Sequence, residues 1–166
     1  MLNISHILDM KTCVLVLDNL RSVENTGSIF RTAEGLGVSK IILVGTTPAP
    51  LDRFGRKRKD FAKISLCAEE MLEWEFVKEI SPALMGLKDK GFKIIALEQD
   101  PRAMELTSFE SKNLENFALI VGNEVNGVSP EALQASDEII EIPMRGKKES
   151  LNVSVSTGIA LHKLLQ

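Results

Sequence analysis

Residues 14–45 run Val14-Leu15-Val16-Leu17-Asp18-Asn19, then Asn25-Thr26-Gly27-Ser28-Ile29-Phe30-Arg31-Thr32-Ala33-Glu34-Gly35-Leu36-Gly37, then Ile41-Ile42-Leu43-Val44-Gly45. The first and last pieces are short, apolar and rich in β-branched residues, each stopped by a turn-forming residue, and they read as buried strands. Between them Ile29, Ala33 and Leu36 recur at helical spacing. Asn25 or Thr26 is placed to cap that helix, and Gly35 or Gly37 to end it. Strand, helix, strand within some 30 residues is the repeating unit of a parallel sheet covered by helices.

The same alternation continues outward. Lys93 to Leu97, Ala118 to Val121 and Glu138 to Ile142 read as further strands. Ser81-Pro82 and Ser129-Pro130 each offer a cap followed by proline at the first helical position. A terminal helix begins near Ser150 to Asn152, with Leu151, Val155 and Ile159 every four residues and Leu161, Leu164 and Leu165 widening the stripe. Ala68 to Val77 reads as a short helix. Thr46 to Lys63 reads as a long polar connection with Pro48 and Pro50, of the kind that tends to carry function. The expectation is one α/β domain over 1–166, a parallel sheet with helices on both faces.

Composition narrows the class of function. The chain has 166 residues, 44% apolar and 26% charged, which suits a packed domain. No apolar run approaches the roughly 20 residues needed to span a bilayer. Met1 to Lys11 carries no long apolar core of a signal peptide, so a cytoplasmic protein without membrane partners is expected. Cys13 and Cys67 are far apart, and His6 and His162 are isolated, which argues against a disulfide or a metal site. The net charge is −3. Arg53, Arg56, Lys57, Arg58 and Lys59 nevertheless form a basic run, and Arg145, Lys147 and Lys148 a smaller one. Such clusters permit a polyphosphate partner, although a charge run is more often a solvated loop.

In open parallel sheets, ligands sit beyond the carboxyl ends of the strands. Three segments at such ends are unusually polar: Asn25 to Thr32, Gly122-Asn123-Glu124-Val125-Asn126-Gly127, and Ile142-Pro143-Met144-Arg145-Gly146 running into Ser150-Leu151-Asn152-Val153-Ser154. Gly35-Leu36-Gly37 lacks the third glycine of a dinucleotide fingerprint and follows a helix. Gly122 to Ser129 has the spacing of a phosphate loop but carries Val128 where that loop needs lysine. Taken singly, Asn25, Ser150 and Asn152 are also plausible helix caps, Glu124 a loop carboxylate and Arg31 a surface residue.

Together, and in this order, the three segments resemble the three motifs of the SpoU-type RNA 2′-O-methyltransferases of the SPOUT superfamily. Asn25, Gly27 and Arg31 match the first motif, and Gly122-Asn123-Glu124 the second. Ile142-Pro143-Met144 with Ser150-Leu151-Asn152-Val153-Ser154 match the third. The resemblance covers about Val14 to Leu165. It implies a C-terminal deep trefoil knot, S-adenosylmethionine bound there, and a homodimer whose site borrows residues across the interface. Carried over by position, Leu97, Gly122, Ile142 and Leu151 would cradle the cofactor. Asn25, Arg31, Glu124, Ser150 and Asn152 would form the catalytic set. Gly122 allows close backbone approach, while Ile142 and Leu151 offer apolar walls for an adenine.

The implied reaction is in-line attack of a ribose 2′-hydroxyl on a sulfonium methyl group. Alignment dominates such a step, and a proton must leave a weakly acidic hydroxyl. An arginine is a poor proton acceptor, so Arg31 is expected to grip an RNA phosphate, with Glu124 holding Arg31 by a charge-assisted hydrogen bond. Arg53, Arg56, Lys57, Arg58, Lys59 and Arg145 are the expected RNA contacts. Many relatives carry an extra N-terminal RNA-binding domain for which this chain has no room, which favours transfer RNA, with ribosomal RNA the runner-up. A non-catalytic RNA-binding module and an unrelated small-molecule enzyme are the rival readings; cofactor binding and RNA-dependent methyl acceptance would separate them. Cys67 stands where relatives tend to have glycine. Leu164 is expected at the dimer interface.

Overall fold

The computed structural model describes residues 11–166; His6 and the other residues of the N-terminal stretch lie outside them. Among the described residues seven strands form one sheet: β1 (Thr12–Asp18), β2 (Lys40–Val44), β3 (Glu73–Val77), β4 (Lys93–Leu97), β5 (Met104–Glu105), β6 (Asn116–Gly122) and β7 (Glu138–Glu141). Their order across the sheet is β3-β2-β1-β6-β4-β7-β5, and every pairing is parallel. The carboxyl ends of all strands therefore share one edge.

Alternation along the strands feeds two cores. On one face Cys13, Leu15 and Leu17 of β1 and Leu119 of β6 pack with Ile29, Phe30 and Ala33 of α1 (Val23–Gly35), Phe61 of α2 (Lys59–Ser65), and Leu161 and Leu164 of α5 (Val153–Leu164). Phe30 meets Phe61 edge-on at 5.2 Å. On the other face Val14, Val16 and Ile120 pack with Ile80, Leu84 and Leu87 of α3 (Ile80–Asp89) and Ala132 of α4 (Pro130–Ala135). A strand buried on both faces needs the unbroken apolar runs that the sequence supplies.

Twice a later strand takes its place between two earlier ones: β6 between β1 and β4, and β7 between β4 and β5. That interleaving is consistent with the threaded C-terminal half implied by the family resemblance. Gln99 Nε2 also reaches from the β4 loop to the carbonyl of Glu149 at 2.7 Å.

Several boundaries differ from the sequence reading. Ala68–Glu70 is a single 3-10 turn, and Glu73–Val77 is the edge strand β3, where a helix was expected. Lys40 on β2 pairs with Glu73 and Glu75 at 3.0 and 3.3 Å, fixing charge on the edge. The long connection after β2 is shorter than expected because Lys59–Ser65 is helical. Ser22, not Asn25 or Thr26, caps α1, accepting from the Asn25 N–H at 3.1 Å. Leu164 is 0% exposed in the single chain, so it is a core residue and not an interface one. Among the described residues, no helix is long and apolar enough to cross a membrane.

Candidate active site

The loops after β4, β6 and β7 and the start of α5 enclose a cavity of about 560 Å³ at the carboxyl edge of the sheet. Leu97, Gly122, Ile142 and Leu151 all line it, as do Asn25, Glu124, Ser150 and Asn152. Its position at the point where the strand order interleaves is where an open parallel sheet offers a crevice.

The wall from β6 is a tight loop. Asn123 and Gly127 exchange both backbone hydrogen bonds at 2.9 Å, and the Asn123 side chain accepts from the N–H groups of Val125 and Asn126 at 2.8 and 3.1 Å. Its amide donates to the Asn19 carbonyl at 2.6 Å, anchoring the loop to the end of β1. Gly122 is required here for a reason different from the expected cofactor approach. A Cβ on it would overlap the backbone of Gly127 and Val128, so its own chain fills the space. Gly127 adopts φ +72°, and a Cβ there would strike the Glu98 carboxylate. Glu98 in turn accepts from the N–H groups of Val128 and Gln99, both at 2.8 Å.

Three polar residues far apart in sequence form a relay on the rim. Asn152, the N-cap of α5, accepts from the Ser154 N–H at 2.9 Å and donates to Asn25 Oδ1 at 3.0 Å. Asn25 Nδ2 donates to Glu124 Oε1 at 3.0 Å. The Glu124 carboxylate also accepts from the backbone N–H groups of Arg21 and Ser22 at 3.1 and 3.2 Å. Partial burial pushes the Glu124 carboxyl up, but the hydrogen bonds from Asn25 and from the backbone outweigh it and hold the group below its usual range. Glu124 is thus an ionised, fully engaged acceptor that fixes Asn25. Ser150 makes no side-chain hydrogen bond among the described residues and remains available at the rim.

Arg31 is not part of this wall. It borders a separate shallow groove with Ser28, Thr32, Ile64, Gly158 and His162, on the outer sides of α1 and α5. The expected Arg31–Glu124 bond is therefore absent, since Glu124 is held by Asn25, Arg21 and Ser22 instead.

The basic run Arg53 to Lys59 forms a hairpin and the start of α2. Arg56, Lys57 and Arg58 are paired with Asp52, Glu70 and Asp60, while Arg53 and Lys59 have no carboxylate partner among the described residues. Arg145 is exposed on the loop between β7 and α5.

Glu98, Gln99, Asn123, Glu141, Met144 and Ser156 also line the cavity without having been singled out as site residues. For Glu98 a signal existed: it is the first residue beyond a strand end, where open sheets bind their ligands. Among the described residues, Cys67, Glu69 and Glu70 come close enough to share a metal ion, but the Glu70 carboxylate already receives the Lys57 ammonium at 2.6 Å.

Comparison with known proteins fits this geometry. The chain is 31% identical over 156 residues to a tRNA (guanosine(18)-2′-O)-methyltransferase of Aquifex aeolicus, covering 92% of this chain and 68% of that protein. It is 29% identical to a 23S rRNA (guanosine-2′-O-)-methyltransferase of Pectobacterium atrosepticum, covering 92% of this chain and 59% of that one. The crystal structure of an Aquifex aeolicus SpoU-type tRNA modifying enzyme superposes with a TM-score of 0.79 at 27% identity, over 96% of this chain and 77% of that one. The chain thus spans about half to two thirds of the length of such curated relatives. The model of the SpoU rRNA Methylase family matches residues 12–162, nearly the whole of the described fold, and the chain belongs to that family.

Proposed function

We propose that the chain is an S-adenosylmethionine-dependent RNA ribose 2′-O-methyltransferase acting as a homodimer, on transfer RNA in the first instance and ribosomal RNA as the second choice, in the cytoplasm. The observation that carries this reading is the Asn152–Asn25–Glu124 relay, which ties all three motifs together on the rim of one cavity. Relatives named for 2′-O-methylation of tRNA and of 23S rRNA support the same chemistry.

The residues present suit the cofactor. A cavity of about 560 Å³ falls within the range of small-molecule sites. Leu97, Ile142 and Leu151 offer apolar walls for an adenine, and the carboxylates of Glu98 and Glu141 suit a cationic, hydroxyl-bearing ligand. When bound, S-adenosylmethionine would supply an electrophilic methyl group to the ribose 2′-oxygen and leave as the neutral thioether S-adenosylhomocysteine, the hydroxyl proton passing to water. Glu124 holds Asn25, and Asn25 with Asn152 presents amide groups to a ribose at the rim, so the pocket restricts the orientation of the attacking hydroxyl.

Arg31 enters from a second copy in this reading. The outer face of α5 exposes Val155 and Ile159 beside the groove that Arg31 borders, an apolar surface suited to two-fold pairing. A guanidinium delivered across that interface would grip an RNA phosphate bidentately.

The test is transfer of labelled methyl to total tRNA and, separately, to rRNA, with wild type and Arg31→Ala side by side and ribose methylation mapped. Arg31-dependent label on a 2′-oxygen, with cofactor affinity nearly unchanged in the variant, is the expected result. Cofactor binding without label on either RNA would exclude these substrate classes. Absence of cofactor binding would end the enzymatic reading.

A further inference from the structure

Phe54 is 65% exposed, more than any other aromatic side chain among the described residues, and it stands at the tip of a hairpin built to hold it there. Asp52 organises the turn. Its Oδ1 accepts from the N–H groups of Phe54 and Arg56 at 2.8 and 3.0 Å, and its N–H donates to the Arg56 carbonyl at 2.9 Å. Gly55 takes φ +75°, and Leu51 pairs with Lys57 across the hairpin. An apolar ring left in water on a loop held by so many hydrogen bonds needs an explanation beyond filling the core.

The neighbours of the ring supply one. The guanidinium carbons of Arg53 and Arg56 lie 4.7 and 5.0 Å from its centroid. Arg56 is fixed a second time by its Nε donating to Asp52 Oδ2 at 2.8 Å, which leaves its other N–H groups free. Arg53 makes no side-chain hydrogen bond among the described residues. The result is an exposed ring flanked by two guanidinium groups, one of them fixed by Asp52. The hairpin belongs to the segment that leaves the carboxyl end of β2, and the cavity lies beyond the carboxyl ends of β4, β6 and β7 in the same sheet.

We propose that Phe54, with Arg53 and Arg56, is a stacking platform for an unpaired base of the RNA substrate, the guanidinium edges holding the flanking phosphates. This rests on the RNA-methyltransferase reading and adds a preference to it: the substrate presents a splayed or single-stranded nucleotide near the target ribose. Aromatic and guanidinium planes are the surfaces on which unstacked bases settle, and a planar π-face serves any base. Double-stranded RNA hides those faces, so a platform of this kind discriminates by strand state and not by sequence.

The experiment measures binding of the full chain to a single-stranded RNA oligonucleotide and to a blunt duplex of equal length, over a series of salt concentrations. Wild type, Phe54→Ala, Phe54→Leu, Phe54→Trp and Arg53→Ala are compared, with circular dichroism and S-adenosylmethionine binding as checks that each variant is folded. Phe54→Ala should weaken single-strand binding about 5- to 150-fold with an unchanged salt slope. Phe54→Trp should restore it and Phe54→Leu should not. Arg53→Ala should weaken both ligands and lower the salt slope by about one.

Wild-type affinity in Phe54→Ala would overturn the platform, as would equal rescue by leucine or an equal loss on the duplex. These outcomes leave methyl transfer by the wild type untouched, so they sink the platform alone. If the wild type bound neither S-adenosylmethionine nor RNA, the functional reading would fall and the platform with it.

Discussion

Glu124 is held through both oxygens, by Asn25, Arg21 and Ser22, and that arrangement has a pH signature. Its folded carboxyl titrates below its usual value of 4.5, because hydrogen bonding to the ionised form outweighs partial burial. A depressed carboxylate contributes stability that is complete above the unfolded value and is lost as pH falls through the folded one. Glu124→Gln should therefore lower unfolding stability by about 1 kcal/mol at pH 7, since an amide cannot accept on both sides. The gap between variant and wild type should narrow as pH is lowered past 4.5, a trend that denaturant melts at pH 7, 5 and 3.5 would read. A gap independent of pH would mean that the amide fails for steric reasons and not through lost charge. At this scale the sequence displayed the participants but not their pairing. Asn25, Glu124 and Asn152 stand out by type and motif order, yet their bonds join residues 99 and 127 positions apart, beyond any local periodicity. The expected Arg31–Glu124 contact fails on helical geometry. Arg31 follows Asn25 by six residues and so points about 120° away round α1.

At the scale of elements, α5 separates two roles that its sequence blends. Apolar residues occur nearly all round it, so periodicity alone does not say which side meets the sheet. Packing does: Ala160, Leu161 and Leu164 are buried against the core, while Val155 and Ile159 are 51% and 43% exposed. Leu164→Ala should cost about 2–5 kcal/mol of unfolding free energy and leave the oligomeric state intact. If the proposed dimer pairs through this face, Ile159→Asp should do the reverse, leaving far-UV circular dichroism unchanged and converting dimers to monomers at micromolar concentration in sedimentation velocity. An Ile159→Asp protein that stays dimeric would remove this face of α5 from the interface. The same distinction explains what was legible of the fold. β1, β2, β4 and β6 are buried on both faces and announce themselves as apolar runs. β3 and β5 lie at the two edges of the sheet, and their signals are faint. Glu73-Trp74-Glu75-Phe76 does alternate at the period of a strand, a pattern that the adjoining Ala68-Glu69-Glu70 obscured. β5 is two residues long and carries no signal of its own.

At the scale of the whole molecule, the question is which cavity each Arg31 serves. The single chain assembles Asn25, Glu124, Ser150 and Asn152 at the cavity with Leu97, Gly122, Ile142 and Leu151, and leaves Arg31 in a different groove. A local reading of sequence had no means to foresee this division, because it follows from how α1 and α5 lie together. If the homodimer completes the site, two inactive variants should rescue each other. Arg31→Ala keeps an intact cavity but offers its partner no arginine. Leu151→Asp keeps Arg31 but sets a charge in the apolar wall; Leu151 is exposed, so the core is undisturbed. In a mixed dimer, the cavity of the Arg31→Ala copy meets the arginine of the Leu151→Asp copy, and one site in two is whole. Random exchange of equal amounts makes about half of the dimers mixed, so roughly a quarter of wild-type methyl transfer should return. Each variant alone should stay near background. If Arg31 served its own cavity, every site in the mixture would lack one component, and no activity would return even with mixed dimers demonstrated by mass spectrometry. The two arrangements predict opposite results from one mixture.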